Sequence, residues 1–508
     1  MSPINYYSRR QWLDSNSGLQ DPRAFNRSPS LNRVSFDTSS LYNKQSAAAI
    51  VDIPADIISR ISSQAQIASA GPANPFNGSP LPSSSGDINI DALLYVNTPY
   101  WWHTTALSSN TNSANLIKSG LYSLVPTSST GTNLTYGFLS SVPSNLSSQD
   151  KSGFTPFTAS EKNAARAALA YISSITKLTF TEVTGSNSAN INFGNNNQGN
   201  VSQGYAYIPS PTNNPKTYLF MNSAPSFAPA LNNVTAGTYN WLAIFHEIGH
   251  TLGLKHPGDY DAGGGGTVGP YLPKAQDNQQ YSIMSYYQGS GGGYDSSYML
   301  YDVAALQYLY GINKSGSTAV TGAFTFNSSS TSYEKTLWST NGTDVINLSG
   351  LNNASRVNLN AGTYSSVNIQ GANNFTAGSS IGKNNVAIAY GSNINRVTLE
   401  TGASITDEVI LNDAYKKSQF DIIQNLTSTD KIGISTSTFG VSLNSSNVQI
   451  GTTNSSTTSA YKIIVNTATK NIYYDSDGIG GSAAVKIAQY TAIGSFSLSA
   501  ANNFDFVA

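Results

Sequence analysis

His246-Glu247-Ile248-Gly249-His250-Thr251-Leu252-Gly253-Leu254-Lys255-His256 holds three of the four histidines in a chain of 508 residues. On a helix, His246 and His250 share one face and can grip one metal ion. Glu247 follows the first of them and projects beside such an ion, where it can take a proton from a water that the metal activates. The flanking residues predict the helix itself: Trp241, Phe245, Ile248 and Leu252 recur at helical spacing and form an apolar core face. Gly253 permits an unusual, left-handed backbone turn that ends the helix and brings His256 back as a third ligand. Three protein ligands leave one position open, as catalytic zinc sites require.

The run continues as Pro257-Gly258-Asp259-Tyr260, and further on stands Tyr281-Ser282-Ile283-Met284-Ser285-Tyr286. With these segments the chain resembles the metzincin metallopeptidases, and within them the serralysin family. The resemblance implies an α+β catalytic domain, with a twisted, mainly parallel sheet and a zinc-binding helix. An all-β C-terminal domain of β-roll or sandwich type would follow it. The resemblance also implies roles. Met284, in the Met-turn, is the apolar floor under the metal. Tyr286 is the phenol that ligates zinc at rest and stabilises the oxyanion. His246, His250 and His256 hold Zn²⁺, Glu247 is the general base, and the substrate is a protein or peptide.

Bulk composition narrows the setting. Charged residues make up 10% of the chain, against roughly 25% in ordinary soluble proteins. Net charge is −1 and no basic run appears, which argues against nucleic acid or an anionic membrane as the main partner. The absence of cysteine excludes disulfides, thiol catalysis and a cysteine latch on zinc. No stretch is apolar enough to span a bilayer, and the N-terminus shows no apolar signal-peptide core. Two readings follow, a cytosolic protein or export by a route that does not read the N-terminus. The resemblance implies the second: type I secretion machinery reading an uncleaved C-terminal segment, here Asn503 to Ala508, and a secreted or cell-surface location. A reading of another class stands beside it. Low charge and abundant Ser, Asn and Thr also suit a bacterial surface-layer or matrix-associated structural or adhesive protein that retains a metallopeptidase domain. Chelator-sensitive proteolysis separates the two.

Along the chain, residues 1–85 read as a Ser/Asn/Pro-rich N-terminal extension, either a propeptide or a surface segment, with one helix near Ala47–Ile67 and a linker over Gly71–Gly86. Residues 86–312 are expected to form the peptidase domain. Ile88 to Leu94 resembles the first segment of the serralysin catalytic region. Thr158-Ala159-Ser160-Glu161 is a capping box, and strands are expected at Leu134–Leu139, Leu178–Val183, Asn190–Phe193, Gly204–Ile208 and Thr217–Met221. In the metzincin fold an edge strand pairs with the substrate. Gly204, Tyr205, Ala206 and Tyr207 are the candidate edge, the alternative being an internal strand. A last helix covers Tyr301–Tyr310, and His103 reads as structural or exposed.

Residues 313–508 carry short apolar alternations between Asn/Ser/Gly turns, at Val345–Leu348, Val357–Leu359, Val367–Ile369, Val386–Ile388, Val397–Leu399 and Val409–Leu411. Such strands are too short to stand alone and bury a core by stacking. Serralysins place calcium-binding Gly-Gly-x-Gly-x-Asp repeats in this region. No complete copy occurs here; Asn341-Gly342-Thr343-Asp344 keeps a fragment, and Gly402 to Asp407 stands where a first repeat is expected. Ca²⁺ needs about six to eight oxygen ligands. The domain is therefore expected to fold largely without it, Asp344, Asp475 and Asp477 being the remaining candidate ligands. The alternative for Asp475-Ser476-Asp477-Gly478 is a hairpin turn.

Overall fold

A capping box and a helical apolar stripe organise the first half of the molecule. Thr158 Oγ1 accepts from the Glu161 amide at 3.2 Å, and the Glu161 carboxylate accepts from the Thr158 amide at 2.7 Å. Two otherwise unpaired donors at the helix start are thereby satisfied. In the computed structural model, which describes residues 84–96, 102, 132–184, 187–209, 216–261, 267–290, 293–328, 334–376, 382–402, 404–412, 420–440 and 442–507 together with the backbone of 33–36, two compact units appear. One ends at Asn313 and the other carries Lys314–Ala508. Among the described residues no helix is long and apolar enough to cross a membrane. His103, the segment Ala47–Ile67 and the glycines 263–266 lie outside the described residues.

The first unit holds, in chain order, β1 (Arg33–Phe36), α1 (Ile88–Asp91), β2 (Asn133–Phe138), α2 (Ser148–Lys151), α3 (Ala159–Ile175), β3 (Thr179–Glu182), β4 (Ile191–Asn196), β5 (Gly204–Tyr207), β6 (Thr217–Asn222), α4 (Tyr239–Thr251) and α5 (Leu300–Tyr310). Its six-stranded sheet has the order β1-β5-β6-β4-β2-β3. The β3–β2, β2–β4 and β4–β6 pairs are parallel, whereas β6–β5 and β5–β1 are antiparallel. The mainly parallel sheet is therefore present, with an antiparallel margin.

β4, β5 and β6 are buried along their whole length, because α4 packs on β5 and β6 and α3 packs on α4. Helix α4 is consequently buried all round, Asn240 to Thr251 without exception. The apolar stripe marked the helix correctly, but its polar side, with His246, Glu247 and His250, is buried as well.

In the second unit the strands Arg356–Asn358, Glu408–Leu411, Lys431–Ser435 and Phe504–Val507 form one all-parallel sheet. Ala323–Asn327, Val345–Gly350, Arg396–Thr398, Asp421–Leu426 and Val485–Ala492 pair in parallel in another. The chain visits the two sheets in alternation: Val345–Gly350 then Arg356–Asn358, Arg396–Thr398 then Glu408–Leu411, Asp421–Leu426 then Lys431–Ser435. Inward residues such as Ile346, Val357, Val397, Val409, Ile423 and Ile432 share one core. One expected strand is absent: Val367–Ile369 is irregular, because Asn368 takes a positive φ of 59° that breaks the extended run.

Candidate metal centre

The end of α4 explains how the third histidine returns. Gly253 has φ 91°, its amide bonds to the His250 carbonyl at 2.9 Å, and the Leu254 amide bonds to the Gly249 carbonyl at 3.0 Å. These two bonds form a Schellman closure, which needs a left-handed residue at the first position past the cap. Other carbonyls at this end are met by the Trp102 indole (to Thr251 O, 2.7 Å) and the Tyr310 hydroxyl (to Leu252 O, 2.6 Å). The chain then pairs back on the segment after α1, with Lys255 N donating to Leu93 O at 2.9 Å.

The three histidines converge as expected. Their Nε2 atoms lie 3.0, 3.1 and 3.2 Å apart, and all three side chains are fully buried. Each Nδ1 faces a backbone carbonyl: His246 with Ile283 O (2.9 Å), His250 with Leu254 O (2.8 Å) and His256 with Tyr260 O (3.0 Å). A ring nitrogen facing a carbonyl must carry the proton, which leaves each Nε2 an acceptor. Three acceptors aimed at one another repel unless a cation sits among them. Burial, the first cause for each ring, holds all three well below the usual histidine range, His250 at about 4. The imidazoles are thus neutral near pH 7, as metal ligation demands. The spacing is close to the edge of roughly 3.4 Å that a tetrahedron with bonds of ~2.1 Å requires. Among the described residues this triad is the one His/Cys/Asp/Glu group whose ligand atoms gather tightly enough to hold an ion. The donor set fits zinc.

Around the triad, Met284 is fully buried, and a Cβ on Gly249 would come within 2.7 Å of its sulfur. The glycine in the motif therefore lets the Met-turn sit directly against the helix. The Tyr286 ring lies 4.5 Å from the His256 ring and 6.1 Å from that of His246. Glu247 is fully buried, its Cγ 3.3 Å from where a Cβ on Gly204 would stand. Gly204 thus makes room for the carboxylate-bearing side chain. Tyr205 and Tyr207 turn to the other side, where their hydroxyls donate to the Asp150 carboxylate at 2.5 and 2.8 Å. The segment Gly204–Tyr207 is not the outermost strand, because β1 pairs along it.

Several residues around the site escaped the sequence reading. Asp302, on α5, accepts from Ser282 Oγ (2.6 Å), Ile283 N (2.7 Å) and Met299 N (2.9 Å). It ties the Met-turn to the helix while Ile283 O orients His246. Tyr260 stacks on His256 (5.7 Å) and packs at a tilt against Tyr286 (4.7 Å), and its hydroxyl donates to Asp277 at 2.6 Å. Lys255 is buried and donates to Ala92 O, Pro270 O and His256 O at 2.6, 3.0 and 3.2 Å. A lysine inside a histidine motif carries no mark of burial. Asp302, three residues after Met299, had at most the weak signal of an acidic residue in a first turn.

The calcium candidates lie elsewhere, Asp344 in one turn and Asp475 and Asp477 together in another. Asp344 accepts from Asn341 Nδ2 (2.8 Å) and Ser317 Oγ (2.5 Å). Asp475 accepts from Gly478 N and Asp477 from Ser482 N, both at 2.9 Å, in the loop between the antiparallel strands Asn471–Tyr474 and Val485–Ala492. That is the hairpin alternative.

Comparison with known proteins agrees with this geometry. The model for Metallo-peptidase family M12 (Reprolysin_5) matches residues 104–297. That stretch includes the three-histidine motif and the turn at Met284, so the match and the geometry point to the same part of the chain. Over 306 residues the chain is 33% identical to Metalloprotease AprA of Pseudomonas entomophila (strain L48), a match covering 55% of this chain and 59% of that protein. It is 36% identical over 296 residues to Serralysin C of Dickeya chrysanthemi, covering 54% and 58%. Against Serralysin of Photorhabdus laumondii subsp. laumondii it is 30% identical over 311 residues, covering 55% and 59%. The chain is thus similar to these proteins over a little more than half of its length, and it spans less than two thirds of theirs.

Proposed function

We propose that this chain is a secreted zinc endopeptidase. The observation that carries the reading is the convergence of three neutral imidazole acceptors within 3.2 Å beside the buried Glu247. Zinc held by His246, His250 and His256 supplies Lewis acidity, which acidifies water and polarises a peptide carbonyl. Glu247 takes the proton from the attacking water and hands it to the leaving amine. The Tyr286 phenol donates to the oxyanion of the tetrahedral species. An extended substrate adds to β5 along Gly204 to Tyr207 by taking the place of β1 on that side.

On the same reading residues 1–85 are an N-terminal extension, 86–312 the peptidase domain and 313–508 a β-roll. The alternating parallel sheets support the roll. Serralysin likeness supports type I export and an extracellular or cell-surface place of action. Purified chain should cleave casein, lose activity to a zinc chelator and regain it on adding zinc. Cleavage that persists in chelator, or none from zinc-loaded chain, overturns the proposal; the second result favours the structural surface-protein reading.

A further inference from the structure

The amides on either side of the Tyr286 Cα are met by hydroxyls, and one carboxylate decides which way those hydroxyls point. Tyr260 Oη donates to Asp277 Oδ1 at 2.6 Å, and Ser285 Oγ donates to the same oxygen at 2.8 Å. A hydroxyl has one proton to give. With that proton committed to Asp277, each hydroxyl oxygen is left an acceptor. Tyr260 Oη takes the Tyr286 amide at 3.4 Å, and Ser285 Oγ takes the Tyr287 amide at 3.2 Å.

Asp277 is itself fixed in place. It is buried, and its amide donates to Pro273 O at 3.0 Å. Two residues on, Gln279 bonds back to the Met-turn, its amide to Tyr287 O at 2.7 Å and its Nε2 to Ser285 O at 3.2 Å. Gly258 supplies the space. A Cβ there would lie 2.7 Å from Asp277 Oδ2 and would clash with the Tyr260 ring.

Tyr260 passes the constraint on. Its carbonyl faces Nδ1 of His256 at 3.0 Å. Its ring lies 4.7 Å from that of Tyr286, which lies 4.5 Å from the His256 ring. A rotation of Tyr260 would therefore shift the phenol relative to the histidine it stands against.

Resting on the endopeptidase reading above, we infer that Asp277 is a positioning residue for the oxyanion donor. By fixing the Tyr260 and Ser285 hydroxyls as acceptors, it sets the backbone on both sides of Tyr286 and so the place of its phenol. It acts through those two residues and exchanges no proton with substrate. The bond it prepares forms only as the oxyanion develops, so its loss belongs in kcat rather than KM.

The test is a double-mutant cycle on zinc-loaded full chain, with kcat and KM on a quenched-fluorescence peptide and zinc content on each sample. Tyr286→Phe should lower kcat about 10²-fold. Asp277→Ala should lower kcat about fivefold with KM and zinc unchanged. With Tyr286→Phe already present, it should change kcat by less than about twofold. Tyr260→Phe cuts the same bond, keeps the ring and should show the same dependence on Tyr286; it carries the test where Asp277→Ala does not fold.

Equal loss in both backgrounds, no loss in either, or a loss expressed in KM or zinc content overturns the inference while leaving the peptidase reading intact. Tyr286→Phe as active as the parent overturns the inference together with the oxyanion role. A zinc-loaded parent that cleaves nothing overturns both the inference and the peptidase reading.

Discussion

Removing the Asp302 carboxylate should loosen the metal centre from below, by a route that runs through one peptide unit. Asp302 holds Ile283 N at 2.7 Å, and Ile283 O in turn orients His246 at 2.9 Å. Asp302→Ala leaves two buried backbone N–H groups, those of Ile283 and Met299, without their acceptor, at about 1–3 kcal/mol each. Part of that is returned, because burial already lifts the Asp302 carboxyl to about 7 and its removal relieves the strain of burying charge. The net loss should be about 3 kcal/mol.

Asp302→Asn should cost only about 1 kcal/mol. Its amide oxygen can accept from both N–H groups and its NH₂ can donate to Ser282 Oγ. Urea unfolding of zinc-loaded chain measures the stabilities, and competition with a fluorescent chelator measures zinc affinity, which should fall for Ala and change little for Asn. If Ala costs less than about 1 kcal/mol, a value typical of surface changes, the strut has no such role. If Asn is as harmful as Ala, charge rather than acceptor geometry holds the turn.

Three further outcomes follow from the same structure. Burial raises the Glu161 carboxyl from 4.5 to about 7, so the folded state binds the proton more tightly than the unfolded chain. The associated stability is fully present below pH 4.5 and is lost as pH rises through 7, a decline of about 3 kcal/mol. Glu161→Gln should flatten this part of the stability profile, and an unchanged slope would contradict the assignment. Tyr260→Phe keeps the ring against His256 and Tyr286 but cuts the bond to Asp277; kcat should fall about fivefold, the rate equivalent of ~1 kcal/mol, with KM unchanged. Calcium chelation that spares zinc should leave the melting of the C-terminal unit where it was, since Asp344, Asp475 and Asp477 are engaged in turn hydrogen bonds. A large downward shift would contradict calcium independence.

The legible parts of the molecule were those written in short-range pattern. The motif helix, the Thr158 capping box and the left-handed Gly253 each depend on residues within a turn or two, and each appears where its residues predicted it. Parts decided by distant partners were not legible. Arg33-Val34-Ser35-Phe36 is a run of only four residues within a Ser-rich stretch, and its partner β5 lies far away in sequence. Val367–Ile369 looked like its neighbours, yet Asn368 turned it aside. Lys255 reads as a surface charge, and only the fold supplies the three carbonyls that let it stay buried.

The most direct measurement is hydrolysis by Glu247→Gln with zinc content determined on the same sample. The amide keeps the shape of the side chain beside Gly204 and leaves the three histidines untouched, so one zinc per chain should remain. Turnover of a quenched peptide should fall by at least about 10²-fold, the lower end of what a general base contributes. Full activity with zinc in place would contradict the account. Loss of zinc together with activity would contradict the assignment of Glu247 as a base rather than a support for the metal site.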